Sequence, residues 1–145
     1  MDLGRSAVIG RIHRISRIVQ LRSDRILERS GLGRGEFDVL GVLMRTGRAM
    51  APTEIALALS ASPAGTTKRV QKLLAAGFLI RKPHQTDKRS ALLETTNHAR
   101  DKFPALLEAI TTMEIEVLKA LGPESLDVLD DALGRLLSGL ESPAT

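Results

Sequence analysis

A chain of 145 residues with 43% apolar side chains, 2% aromatic ones and a formal net charge of +4 can bury one ordinary core, and Leu, Ile, Val and Ala must build it. The lack of cysteine excludes a disulfide framework, a thiolate nucleophile, a thiol redox sensor and a cysteine zinc site. No apolar run approaches the roughly 18 residues of a membrane span, and the Arg-rich start lacks the apolar segment of a secretory signal, so the expectation is a soluble, cytoplasmic protein that makes no membrane contact.

Val8, Ile12, Ile15 and Val19 recur at three- and four-residue steps, with Ile26 two turns on, which predicts an amphipathic helix over 5–29. Gly31-Leu32-Gly33 ends it. A second helix has Glu36 in its first turn and Phe37, Leu40, Leu43 and Met44 on one face, and Gly47 stops it. Pro52 suits the first position of a short third helix that buries Ile55 and Leu59. Ser60-Ala61-Ser62 is a turn, and Ser62-Pro63 supplies an N-cap and first residue for a fourth helix that runs to Gly77.

The stretch 77-GFLIRKPHQTDKRSALLETT-96 breaks the helical pattern. Two short apolar runs, Phe78-Leu79-Ile80 and Ala91-Leu92-Leu93, flank a basic, turn-rich loop with its tip at Pro83–Thr86, and this predicts a β-hairpin. Asn97 then caps a long helix carrying Phe103, Leu106, Leu107, Ile110, Met113, Val117 and Leu121, which Pro104 should kink or restart. Gly122-Pro123 begins a last helix with Leu126, Leu129, Leu133, Leu136 and Leu140.

Charge is unevenly spread. Residues 62–89 carry seven basic side chains and one acid, Asp87, whereas residues 103–145 carry eight acids against Lys119 and Arg135. The first 29 residues carry seven Arg. A basic middle beside an acidic tail points to a surface facing a polyanion.

Two short helices joined by a tight turn and followed by a hairpin make a winged helix-turn-helix, whose second helix enters the DNA major groove by its N-terminal end. At about 100° per residue, Thr66, Val70, Leu73 and Leu74 face the core, with Thr67 at the edge. Ala64, Gly65, Lys68 and Lys72 lie opposite, with Arg69 on the flank in reach of a phosphate or a base, and with Thr67 these are the expected DNA contacts of the helix. The small residues admit a groove closely, and the capped helix N-terminus at Ser62 suits a phosphate. Lys68 is the candidate for a base edge. In the hairpin, Arg81 and Lys88 are placed for backbone phosphates and Arg89 for a narrow minor groove, with Asp87 bracing Arg89 or a tip amide.

The stretch "APTEIALALSASPAGTTKRVQKLLAAGFLIRKPHQTDKRSALLETTNHAR" resembles the core of the MarR (multiple antibiotic resistance regulator) family of bacterial transcription factors. Thr67-Lys68, Leu73, Gly77-Phe78, Asp87 and Arg89 fall on the family's recognition-helix and wing positions, and "GLGRGEFDVLGVLMR" is similar to its second helix. Ala51, Thr95 and Ala99 depart from the usual Ser/Thr, Leu and Gly. The resemblance implies a homodimer whose first, fifth and sixth helices interlock, a near-palindromic double-stranded DNA operator, and release by a small aromatic or phenolic ligand.

The expected fold is therefore mainly α with a small β-wing: one domain over 1–145, with a winged helix-turn-helix lobe at 35–96 and dimerisation helices at 5–29 and 97–141. The Arg stripe of the first helix faces the acids of the last as a steering pattern for assembly. A ligand cleft is expected near His13, Arg17, Phe37, Met44 and Met113. His13, His84 and His98 are not spaced as metal ligands, and no metal or cofactor is expected. Nor is a nucleophile-base pair or phosphate loop present to suggest an enzyme. The rival readings are a ligand-independent regulator, to which the scarcity of aromatic pocket walls lends weight, and a helical dimer whose basic lobe docks an acidic protein.

Overall fold

The computed structural model describes residues 3–84, 86–87 and 91–142. Backbone contacts divide the chain into two units, Met1–Ile110 and Thr111–Thr145. The first unit contains α1 (Leu3–Glu28), α2 (Arg34–Thr46), α3 (Pro52–Leu59), α4 (Pro63–Ala75), β1 (Leu79–Pro83), β2 (Ala91–Thr95) and the start of α5 (Asn97–Leu118). The rest of α5 and α6 (Pro123–Glu141) form the second.

Within the first unit α2 is the central element. It buries Phe37, Val39, Leu40, Val42 and Leu43, and Leu27, Ile55, Leu73, Leu79 and Leu93 close around it with almost no exposed surface. Rings contribute one stack, Phe37 on Phe103 at 5.3 Å. Arg34 ties α2 to its predecessor: its guanidinium donates to the Ser23 hydroxyl of α1 at 3.2 Å and to Asp38 at 3.0 Å. Ser23 is itself buried, so the bond supplies a partner that its hydroxyl needs.

Helix ends follow local chemistry. Gly31, Gly47 and Gly77 all adopt positive φ, the left-handed conformation that glycine reaches without a Cβ penalty. At α4 this lets Phe78 N–H reach back to the Leu73 carbonyl at 2.9 Å, and the chain leaves the helix directly into β1. The strands pair antiparallel with Leu79 opposite Thr95 and Pro83 opposite Ala91. A lone bridge from Met50 to Leu93 adds a third line of backbone to the hairpin base.

Two local expectations are corrected. The cap of α5 is Thr96, not Asn97: the Thr96 hydroxyl accepts from Ala99 N–H at 3.2 Å and donates to the Gly77 carbonyl at 2.6 Å. Asn97 instead accepts from the Arg100 guanidinium at 2.6 Å. Pro104 neither stops nor restarts α5, which runs through it. The carbonyl deprived of its N–H partner is that of Arg100, an exposed residue, so water can satisfy it and the cost of the proline stays small.

Most of the apolar stripe of α1 is uncovered in a single chain. Val8, Ile12, Ile15, Ile18 and Leu21 are exposed, and only Ser23 and Leu27 of this helix are buried. In the second unit α6 has no buried residue, although Leu129, Leu133, Leu136 and Leu140 recur along one face.

Candidate nucleic-acid interface

The N-terminus of α4 is built by Ser62 and the two residues that follow it. Ser62 is extended, and its hydroxyl accepts from Gly65 N–H at 3.1 Å. Pro63 takes the first helical position, where its missing N–H has no partner to lose. A Cβ on Gly65 would stand 2.9 Å from the Ser62 hydroxyl, so glycine there serves the cap as well as the smoothness of the outer face. The hydroxyls of Thr66 and Thr67 turn back onto the carbonyls of Ser62 and Pro63 at 2.9 and 3.0 Å.

Burial sorts the rest of the helix. Thr66, Val70 and Leu73 are buried and Leu74 is half-buried, whereas Ala64, Thr67, Lys68 and Lys72 are exposed. Gln71 and Ala75 are exposed as well and continue the Ala64–Lys68 stripe. Gln71 was missing from the expected set, though the same 100° rotation places it there. Its amide is a type that pairs with adenine in the major groove.

Arg69 and Lys72 sit on the flank of α4 that faces α2. Lys72 Nζ lies 3.5 Å from Glu36 Oε1. Arg69 lies across Gly35, where an added Cβ would come within 2.4 Å of its Nε.

On the other flank, Thr67 and Gln71 meet the wing. With Ala51, Pro52, Thr53, Val70, Arg81, Ala91 and Leu93 they line a hollow of about 350 Å³. The structure thus brings Thr67 and Arg81 to one surface. Lys82 is drawn to Glu94 on the opposite strand, Nζ to Oε2 at 2.6 Å, which orders the wing but takes one cation from its face. At the tip, His84 Nδ1 accepts from Thr86 N–H and Asp87 N–H, both at 3.2 Å. The ring nitrogen therefore acts as a small cap for the turn, a role that no local sequence signal marks. Lys88 and Arg89, and with them the expected Asp87–Arg89 brace, lie outside the described residues.

The start of α3 is held by charge. Ala51 has no side-chain acceptor, but Glu54 accepts from Ala51 N–H at 3.2 Å and from the Arg48 guanidinium at 2.8 Å. The Arg48 hydrogen bond first, and the Ala51 N–H second, hold the Glu54 carboxyl below the usual carboxylate range.

Comparison with known proteins shows what this arrangement is similar to. Residues 30–90 match the model of the MarR family. The chain is also 29% identical over 138 residues to the HTH-type transcriptional regulator PecS of Dickeya dadantii (strain 3937), covering 94% of this chain and 83% of that one. The chain is similar to the MarR family over residues 30–90 and to one relative over most of its length. The MarR-family fold is shared at low identity with solved structures. AbsC, a MarR family transcriptional regulator from Streptomyces coelicolor, superposes with a TM-score of 0.84 at 20% identity, covering 97% of this chain and 95% of that one. A mutant MarR from E. coli, complexed with operator DNA, superposes at 0.82 with 21% identity, covering 94% and 99%.

Of the residues expected around a ligand, His13, Arg17, Phe37 and Met44 belong to the first unit and Met113 to the second. His13 and Arg17 are exposed on α1, and Phe37 and Met113 are buried. Met44 lines a small hollow of about 160 Å³ with Leu43, Gly47, Arg48, Glu94, Thr95 and Arg100. A wider, open hollow of about 510 Å³ lies between the end of α1 and Lys72, lined by Asp24, Arg25, Glu28 and the Gly31–Gly33 turn. Neither His13 nor Arg17 lines any of these three hollows.

Proposed function

We propose that this protein is a MarR-family transcriptional repressor that binds a near-palindromic double-stranded DNA operator as a homodimer and leaves it when a small aromatic or phenolic ligand binds. It is read as a binding protein, not an enzyme. The observation that carries the reading is the outer face of α4. A side-chain-capped N-terminus at Ser62, two small residues at Ala64 and Gly65, and exposed Lys68 form a surface that a major groove can meet closely.

Phosphates bind at the Ser62 cap, base edges at Lys68, and Thr67 with Arg81 follows the backbone at the wing. Lys88 and Arg89 extend that contact into the flanking minor groove. Residues 35–96 are the DNA-binding lobe of a single domain. The exposed Ile and Leu of α1 and α6 belong to dimerisation helices at 5–29 and 97–141, because apolar stripes of that length are covered in a stable protein. The family resemblance supports release by ligand, and the hollow beside Arg81 is of a size that small ligands occupy. A ligand that prefers a conformer with the wrong spacing of the two lobes lowers operator affinity by that preference alone.

The test is selection of bound fragments from a genomic library at about 0.15 M salt, with Lys68→Ala and Arg89→Ala alongside. One enriched near-palindromic site, weakened in both variants, is the expected result. Uniform weak binding that ignores both substitutions would overturn the reading in favour of a lobe that docks an acidic protein.

A further inference from the structure

The first turn of α2 pairs with one of the cations that a DNA-binding helix would otherwise offer to phosphates. Glu36 occupies the third position of α2, with its carboxylate over the N-cap Gly33, where an added Cβ would lie 3.5 Å from both of its oxygens. Its side chain is only 9% exposed. Lys72 reaches this carboxylate across the gap between helices, at 3.5 Å, while its own side chain stays 67% exposed. One turn nearer the start of α4, Arg69 is folded over Gly35, and its guanidinium occupies the space that any larger residue at 35 would fill. Acid and glycine are adjacent: the acid pairs with Lys72, and the glycine leaves room for Arg69 on the same flank.

We propose that this turn is an internal competitor with DNA: Glu36 withholds Lys72 from the phosphate backbone and so limits the non-specific affinity of the regulator. The inference rests on the DNA-binding reading above. Each phosphate neutralised releases counterions and steepens the dependence of binding on salt by about 0.9 in log–log slope, whatever the base sequence. A cation that stays on Glu36 contributes nothing to that slope. Lys68 then carries base contact on this helix without a further cation at Lys72 that would tighten every DNA site alike. Glu36 is a positioning residue in this scheme, acting through Lys72.

The experiment measures binding to operator and to non-operator duplex across a salt series for the wild-type protein, Lys72→Ala, Glu36→Gln, the double variant and Lys68→Ala. Lys72→Ala is expected to leave the slope unchanged. Glu36→Gln is expected to steepen it by about 0.9 and to raise affinity for both duplexes on the order of fivefold at 0.15 M salt, with the operator preference unaltered. Adding Lys72→Ala to Glu36→Gln should remove that gain. A shallower slope in Lys72→Ala alone would mean that the lysine leaves Glu36 for a phosphate, and the proposal falls. A gain from Glu36→Gln that persists without Lys72 would reduce Glu36 to a distant negative charge, and the proposal falls again.

Loss of affinity in Glu36→Gln with an unchanged slope would mark a purely structural residue and also overturn it. Lys72→Ala changes an exposed side chain, so its result decides the matter even if Glu36→Gln folds poorly. Lys68→Ala separates the two readings. If it leaves operator binding unaffected, or if the wild-type protein binds no DNA, the DNA-binding assignment itself is wrong and the inference goes with it.

Discussion

Met50 and Leu93 exchange both of their backbone hydrogen bonds, 2.9 Å from Met50 N–H to the Leu93 carbonyl and 2.8 Å in return. This pair stitches the connection between α2 and α3 to the second wing strand, with Leu93 2% and Met50 4% exposed. A two-stranded hairpin by itself is marginal in water. The wing therefore takes its orientation from this bridge and from the buried side chains on either side of it.

Leu93→Ala should lower unfolding free energy by about 2–5 kcal/mol, the range for truncating a buried leucine. Urea denaturation gives the value. A loss under about 1 kcal/mol would mean that the wing base collapses to fill the void, and would weaken the claim that Leu93 anchors it.

Ser62→Ala removes the one side-chain acceptor at the start of α4 and should cost about 1 kcal/mol of stability. Amide exchange should rise first at Gly65, whose N–H loses its partner. Ser62→Asp should keep the cap. Its added charge should nevertheless weaken DNA binding, because the same N-terminus is assigned to a phosphate. An aspartate variant that bound DNA as well as wild type would remove the phosphate from that position.

Glu54 has its carboxyl held low by Arg48 and by the Ala51 N–H. The sign follows from linkage: a depressed folded-state value stabilises above the ordinary glutamate value of about 4.3, and the gain disappears as pH falls through the lower folded-state value. Thermal midpoints of wild type and Glu54→Gln should therefore differ near neutral pH and converge in acid. The two side chains are 59% and 41% exposed, so salt should narrow the gap at pH 7. A gap that widened on acidification would contradict the assignment.

Leu133 is 43% exposed in the single chain and belongs to the Leu129–Leu136 face of α6. Leu133→Glu places a charge in the proposed dimer seam. Sedimentation should show a shift from dimer towards monomer, with loss of operator binding because two half-sites can no longer be held together. A wild-type monomer, or a dimer indifferent to the change, would exclude α6 from the interface.

Much of the lobe was legible because short-range rules govern it. The Ser62-Pro63 start, the glycine stop at Gly77 and the face of Thr66, Val70 and Leu73 each follow from one residue type at one position, and the structure contains all of them. The α5 cap was misplaced by one residue for a non-local reason. Thr96 and Asn97 are both capping types, and Thr96 wins because its hydroxyl also meets the Gly77 carbonyl, a partner nineteen positions away in the chain. Pro104 was expected to kink or restart the helix because it removes a hydrogen bond, and α5 continues through it without a restart.

The sequence by itself determined most helix limits, the start of α5 excepted, the apolar face of α4, and that a basic hairpin follows the fourth helix, since these depend on backbone sterics and on periodicity within a few residues. Tertiary structure decided what stands on each flank of α4. Rotation along a helix assigns Lys68, Arg69 and Lys72 their angles, but only packing against α2 puts Glu36 beside Lys72 and Gly35 beneath Arg69. The charge available to a partner depends on such neighbours, and neighbours that lie more than thirty residues apart in the chain are brought together by burial of the core, not by local pattern.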